Sequence, residues 1–503
     1  RLQRGGIDAH PLDGPRRGAL AARYLGALEG RPGRRGAGDD TPPVAEHDLG
    51  VAEVREITAN ILNSYEEAVR AAPTRRSSAL AGAIVAAIDE EFVFNRPETA
   101  LEIIRPAVEA LTPDACTAAW REAWTAAPPH LFVSGKLDAG VTAATVLDTY
   151  RASTQVAVAA REAAAETEFA YTDFGPPGEA VERRHVEDLD ITLVRFANDV
   201  RLNLKRTDFQ ANAIALRARL GGGQLELPRD RPELAIVAGP LVNSSGLGRH
   251  TVEELRRLLA GRSVQVGFGV GDDALEYSGG TSPKDLELEL RLLCAKMMDP
   301  AFRAEALTRV RRGLEQNYAR LKHLPGGVAQ LHIPRLLASG DPRFGIPPLE
   351  RMLAVSPDDL RAALAPLLDD GALEVAIVGD IDIEATIELA RRTLGALPAR
   401  APKPDFAEER QVSFPDQPPT DTFAVETELK KALVLTYWPT NDNSDIGRVR
   451  RLALLSDVFD DRLRKVIREE LAAAYSPSCG SSPSGTYRGY GLFSVSVEVD
   501  PAE

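Results

Sequence analysis

The sequence predicts an α+β protein made of repeated sandwich-like domains, partial at both chain ends. Three observations carry that prediction. Clusters of short strands with period-two alternation are followed by long runs of helical period. Leu111-Thr112-Pro113-Asp114, a helix, Leu131–Gly135 and Asp138 are echoed by Val355-Ser356-Pro357-Asp358, a helix, Val375–Gly379 and Asp382. The offset is a constant 244 residues (111 to 355, 131 to 375, 138 to 382), as duplicated domains would give. The chain then closes on Phe493–Asp500, which alternates like a half-buried strand.

Residues 1–48 are rich in Gly, Arg and Pro without a sustained period, and read as a poorly ordered lead-in. Helical patterns follow at Val51–Ala72, Ser77–Ile88 and Glu98–Glu109. Thr112 before Pro113 is a helix start, with a hydroxyl cap and a proline in the first turn. Leu131–Gly135 reads as a short strand and 141–165 as an Ala-rich helix. Together 49–170 read as the second half of a domain. Phe174-Gly175-Pro176-Pro177-Gly178 marks a linker, 171–185.

Residues 186–400 read as a complete domain. Ile191–Phe196, Val200–Lys205 and Ala213–Leu220 alternate, and Ala197-Asn198-Asp199 supplies a turn between the first two. Helices are expected at Pro232–Val242 and Thr251–Ala260. Val264–Val270 and Ala274–Ser278 read as a hairpin around Gly271-Asp272-Asp273. Ser282-Pro283-Lys284-Asp285 reads as a capping box opening a helix to Met298, and helical pattern continues through Lys322. Ser356-Pro357-Asp358-Asp359 opens another helix, Val375–Gly379 is a strand, and Ile383–Leu397 is the last helix. Residues 401–420, proline-rich and aperiodic, read as a second linker. The remainder, 421–503, reads as the truncated start of a further domain: a strand at Ala432–Trp438, a long helix at Asp445–Ala474 and the final strand. That strand is expected to lack a partner in this sequence. With an opening that has neither Met nor an apolar leader, this suggests a piece of a longer protein.

The chain has 503 residues, too many for one core. Its formal charge of −14 and pI near 5.2 argue against a nucleic-acid partner, which needs a basic face. They fit an ordinary acidic protein or a chamber that attracts basic peptides. Cys116, Cys294 and Cys479 are odd in number and far apart, so no disulfide framework or C-x-x-C metal site is expected. No apolar run reaches roughly 18 residues, so no membrane span is expected.

Candidate chemistry is sparse. The zinc-peptidase string H-x-x-E-H does not occur. His250-Thr251-Val252-Glu253-Glu254 has its first His and its Glu at the right spacing, but Glu254 stands where the second His belongs. Thr251 and Glu254 also satisfy a capping box, which would place His250 outside the helix. Zinc needs three or four protein ligands, so no metal is expected there. Gly267, Gly269 and Gly271 lie in a strand and its turn, and do not form a phosphate loop. Near the end, Val466–Ser476 carries Arg468 and, seven residues on, Tyr475. By itself this is a solvated arginine and a core tyrosine on one helix.

The Arg468–Tyr475 segment resembles one found in the insulinase/pitrilysin family of zinc metallopeptidases, and the domain layout over residues 50–503 is similar to that family's chain of four homologous α+β domains. Asp380-Ile381-Asp382 through Leu394-Gly395-Ala396-Leu397-Pro398 resembles a domain end; Phe196–Leu202 resembles a domain start, with Asp199 where the family usually has Gly. The resemblance implies repeated α/β sandwich domains of the kind found in mitochondrial processing peptidase, zinc in the complete enzyme though not in this chain, and peptide hydrolysis. It implies that Arg468 and Tyr475 bind substrate, and that His250, Glu253 and Glu254 are a decayed motif. The implied partners are a peptide substrate and either an upstream catalytic domain or a separate zinc-bearing subunit. A binding or structural subunit that never carried zinc is the alternative. The bacterial periplasm and the cytoplasm both remain open.

Overall fold

The computed structural model describes residues 49–125, 130–135, 137–138, 140–153, 167–427, 430–470 and 477–500. They divide into two compact units. One holds the described residues up to 168 together with 256–263; the other holds 169–255 and 264–500.

The first unit contains α1 (Val51–Arg70), α2 (Ser77–Asp89), α3 (Pro97–Glu109), α4 (Pro113–Thr125) and α5 (Ala143–Ser153). α1 packs on α3 and buries Val54, Ile104 and Val108. Ile104 and Val108 are one turn apart on α3, so both reach the same neighbour. Arg105 pairs with Glu66 of α1 at 2.8 Å. Residues 256–263 join this unit: Arg256 pairs with the buried Glu56, and Asn63 Nδ2 donates to Ser263 Oγ at 3.1 Å. Thr112 caps α4, its Oγ1 accepting from the Ala115 N–H at 3.2 Å. The strand expected at Leu131–Gly135 does not form. No strand exists among the described residues of this unit to pair with it, and a lone strand leaves its backbone groups without a ladder. Of the helix expected at 141–165, Ala143–Ser153 forms; 154–165 lies outside the described residues.

The second unit is built on a seven-stranded sheet: β1 (Ala180–Val186), β2 (Ile191–Phe196), β3 (Arg201–Arg206), β4 (Ile214–Leu220), β5 (Val266–Val270), β6 (Leu275–Thr281) and β7 (Leu373–Gly379). The spatial order is β1-β2-β3-β7-β4-β6-β5. All neighbours are antiparallel except β3 and β7. The β2–β3 turn closes as its sequence requires, with Asp199 at φ 62°. One face of the sheet is apolar because the alternation puts Val194, Phe196, Leu202, Leu204, Leu216, Ala218, Val375 and Ile377 there, all buried.

Helices supply the rest of that core: α6 (Glu233–Ser245), α7 (Val252–Leu258), α8 (Leu286–Met298), α9 (Ala304–Lys322), α10 (Pro325–Leu337), α11 (Leu349–Ala354), α12 (Pro357–Asp370) and α13 (Ile383–Arg392). α8 contributes Leu286, Leu290, Leu293 and Met297, and α12 contributes Leu360, Leu364 and Leu367. Each such Leu stabilises by about 1.5–3 kcal/mol on burial. The box expected at the start of α12 is present: Ser356 Oγ accepts from the Asp359 N–H at 3.1 Å, and Asp359 accepts from the Ser356 N–H at 2.9 Å. The box expected at Ser282–Asp285 is not. That stretch is a turn closed by Asp285 N–H on the Ser282 carbonyl at 3.0 Å, and α8 begins one residue later.

Residues 401–420 have no helix or named strand, yet they are pinned down. Phe406, Val412 and Phe414 pack on Leu225, Ala338, Tyr487 and Tyr490. Beyond them come β8 (Ala432–Thr440), α14 (Ile446–Leu463), a π-helical turn at Arg464–Glu470, β9 (Ser478–Pro483) and β10 (Gly491–Val499). The three strands form a second sheet in the order β8-β10-β9. The final strand therefore has antiparallel partners on both sides, against expectation. The unexpected partner, β9, is Ser-Cys-Gly-Ser-Ser-Pro, which carries no apolar alternation.

Candidate functional site

His250 is a packing residue. It is 3% exposed and stacks on Phe169 at 5.8 Å, with Tyr171 edge-on at 5.9 Å. Its Nε2 accepts the Ala170 N–H at 2.9 Å, so that lone pair is taken and the neutral ring carries its proton on Nδ1. Burial lowers its pKa, the Glu254 charge opposes this, and Arg249 adds to it. Glu254 caps α7: its carboxylate accepts the Thr251 N–H at 2.7 Å, and Thr251 Oγ1 accepts the Glu254 N–H at 3.2 Å. The Thr251 N–H bond first, and after it a 3.1 Å bond from the Thr251 hydroxyl to the same carboxylate, lower its pKa against the effect of burial. Glu253 is exposed at the start of α7. The residues at 250, 253 and 254 do not fit zinc, because one donor atom is already bonded and one carboxylate is a cap. Among the described residues no group of three or more His, Cys, Asp or Glu could hold a metal ion.

Arg468 is exposed on the π-helical turn Arg464–Glu470. Tyr475 lies outside the described residues. The structure therefore does not test whether the two converge.

The second face of the seven-stranded sheet was not singled out in the sequence. It is the polar half of the same alternation that builds the core, and in hindsight that polar set was its signal. It carries Glu182 and Arg184 of β1, Arg195 of β2, Arg201, Asn203 and Lys205 of β3, and Glu374 of β7, around a cavity of about 600 Å³. Arg217 and Arg219 of β4 lie on the same face, opposite Ala376 and Glu374. Some charges are paired. Arg195 meets Glu182 at 3.2 Å and Asp199 at 2.9 Å, Arg219 meets Asp273 at 2.5 Å, and Asn203 donates to Glu374 at 2.6 Å. Arg184, Arg201 and Arg217 are exposed and have no partner among the described residues. This face is basic on an acidic chain.

The β5 edge is closed by side chains. Asn243 of α6 mimics a strand residue, donating from Nδ2 to the Phe268 carbonyl at 2.7 Å and accepting the Phe268 N–H at 2.9 Å. Lys296 donates to the Val266 carbonyl, and Glu289 accepts the Gln265 N–H at 2.9 Å. Burial lowers the Lys296 pKa, with Glu289 opposing.

The family described as the peptidase M16 inactive domain matches residues 354–503, a stretch that runs from α12 through β10. Residues 354–503 therefore belong to the peptidase M16 inactive-domain family. The chain is 22% identical over 292 residues to the probable zinc protease PqqL of Haemophilus influenzae, covering 57% of this chain and 30% of that one. Its fold is similar to that of the periplasmic protease PqqL from Escherichia coli, with a TM-score of 0.59, 16% identity, and coverage of 97% of this chain and 52% of that one. It is also similar to a peptidase M16 inactive domain from Pseudomonas fluorescens, with a TM-score of 0.52, 17% identity, and coverage of 62% and 74%. The chain thus spans 30% of the curated relative and about half of the E. coli protease.

Proposed function

We propose that this chain is the non-catalytic, substrate-chamber portion of an insulinase-like zinc metallopeptidase that hydrolyses peptides or proteins. The observation that carries the reading is the one-sided sheet. Helices and apolar side chains fill one face, while the other stays open and polar, and three of its arginines, Arg184, Arg201 and Arg217, have no partner among the described residues. Such a face can accept backbone carbonyls and carboxylates of a peptide through charge-assisted hydrogen bonds. Hydrolysis belongs to a zinc-bearing domain or subunit outside these 503 residues. In this reading Arg468 and Tyr475 supply a charged and a neutral donor to the oxygen that gains charge during peptide cleavage.

The test is an enzyme completed with a zinc-bearing domain and carrying Arg468→Ala or Tyr475→Phe. Turnover should fall about 10²-fold in each, as for the loss of an oxyanion donor, with zinc content and melting temperature unchanged. Wild-type turnover in both variants would overturn the assignment of these residues.

A further inference from the structure

The second unit contains a cavity of about 370 Å³ between the end of α10, the β5–β6 turn and the second sheet. Four aromatic residues line it: Phe344, Tyr437, Tyr487 and Tyr490. Two charged residues reach it, and they differ in one respect. Arg343 is fully engaged. Its Nε and Nη2 donate to the two carboxylate oxygens of Asp341 at 3.0 and 2.7 Å, its Nη1 donates to the Glu409 carbonyl at 2.5 Å, and its guanidinium lies 4.9 Å over the Tyr487 ring. Asp272, at the rim, has no ion-pair or hydrogen-bond partner for its carboxylate among the described residues. A second, independent group is also unmatched. Tyr487 is 3% exposed, lines the cavity, and its buried hydroxyl has no hydrogen-bond partner among the described residues.

These groups select a ligand class. Arg343 is held by Asp341, which Arg229 shares, and of the two lining charges only the Asp272 carboxylate has no hydrogen-bond or ion-pair partner among the described residues, so the group left to satisfy is one that repels an anion. A neutral apolar ligand would drive water from the carboxylate and give neither it nor the phenol a partner. A cation on an alkyl stem can serve both: its N–H groups donate to the Asp272 carboxylate and the Tyr487 hydroxyl oxygen, its charge meets the aromatic walls, and the stem lies against Leu337 and Leu492. We propose that this cavity binds an alkyl ammonium or guanidinium group, such as the side chain of a lysine or arginine in a peptide. The site lies apart from the open sheet face, and the proposal concerns binding rather than hydrolysis, so it stands whether or not the chain serves a peptidase.

The experiment is calorimetric titration of the full chain with N-acetyl-Ala-Lys-Ala-amide, with the same peptide carrying norleucine for lysine, and with free cadaverine. The lysine peptide should bind at least tenfold tighter than the norleucine peptide. Asp272→Asn should weaken the lysine peptide by about 10–100-fold, the range for losing a hydrogen bond to a charged group, and leave the norleucine peptide unchanged. Tyr487→Phe removes only the hydroxyl and should weaken the lysine peptide less. Unchanged melting temperatures establish that the variants fold. Cadaverine binding as tightly as the peptide, and equally sensitive to Asp272→Asn, would support the cation site with a free amine as its source. Equal affinity for the two peptides, or wild-type affinities in Asp272→Asn, would overturn the proposal.

Discussion

Glu289 ties the stability of the β5 edge to pH. It sits on α8 with no exposed surface, and its one hydrogen-bond partner among the described residues is the Gln265 N–H. Burial pushes its pKa from the ordinary 4.5 up to about 8, opposed by the Gln265 hydrogen bond and the Lys296 charge. In the folded protein the carboxyl keeps its proton to about pH 8, whereas in the unfolded chain it loses it near pH 4.5. Between those values the folded state binds more protons, so stability falls as pH rises. The contribution is complete below pH 4.5 and lost above pH 8. A gap of roughly 3.5 in pH corresponds to about 5 kcal/mol, or about 1.4 kcal/mol per unit of pH inside the window. Glu289→Gln keeps an acceptor for Gln265 and abolishes the titration. Amide exchange of peptides spanning 264–281, corrected for intrinsic rates, reads the local opening free energy. Between pH 5.5 and pH 7.5 the wild type should lose about 3 kcal/mol of protection while Glu289→Gln stays level. A level wild type, or a variant that falls in parallel with it, would refute the reasoning.

Asn243→Ala strips partners from both the N–H and the carbonyl of Phe268, and should cost about 2–4 kcal/mol in denaturant titration. Arg343→Met removes the guanidinium from the buried Asp341 carboxylate and leaves it two partners, Arg229 and the backbone N–H of residue 343. It should cost about 3–5 kcal/mol and make residues 401–420 the first site of limited proteolysis. The full chain, dialysed and assayed for metal, should retain no stoichiometric zinc, and His250→Ala should lower the melting temperature through lost packing on Phe169. Stoichiometric zinc that disappears with His250→Ala would contradict the geometry at that residue.

Where burial is one-sided, the sequence shows it. β2, β3, β4 and β7 alternate because one face is core, and the α12 start is visible because its cap and its box partner lie within four residues. The two missed strands share a cause. β1 is Ala-Val-Glu-Arg-Arg-His-Val, an almost wholly exposed edge strand lying across the expected linker boundary, and β9 is small and polar. Neither buries a face, so neither needs an apolar period. Ser282 and Asp285 have cap chemistry at cap spacing, but the backbone there closes a turn first. The packing role of His250 was not legible because its partners, Ala170 and Phe169, are some 80 residues away. The cavity beside Asp272 was out of reach for the same reason, since its walls come from four separated stretches of chain.

β7 lies between β3 and β4, although nearly a hundred residues separate it from β6 in the chain. During synthesis the amino-terminal group β1-β2-β3 and the group β4-β5-β6 emerge with no bond between them, each with an open edge. Neither group can join the other until residue 379 is free, because the strand that bridges them is the last made. Sheet closure in this domain is therefore a late, long-range event, in the class that slows folding most. Both open edges wait through the synthesis of α8 to α12, the interval in which a nascent chain is most exposed to wrong pairing and to chaperone capture.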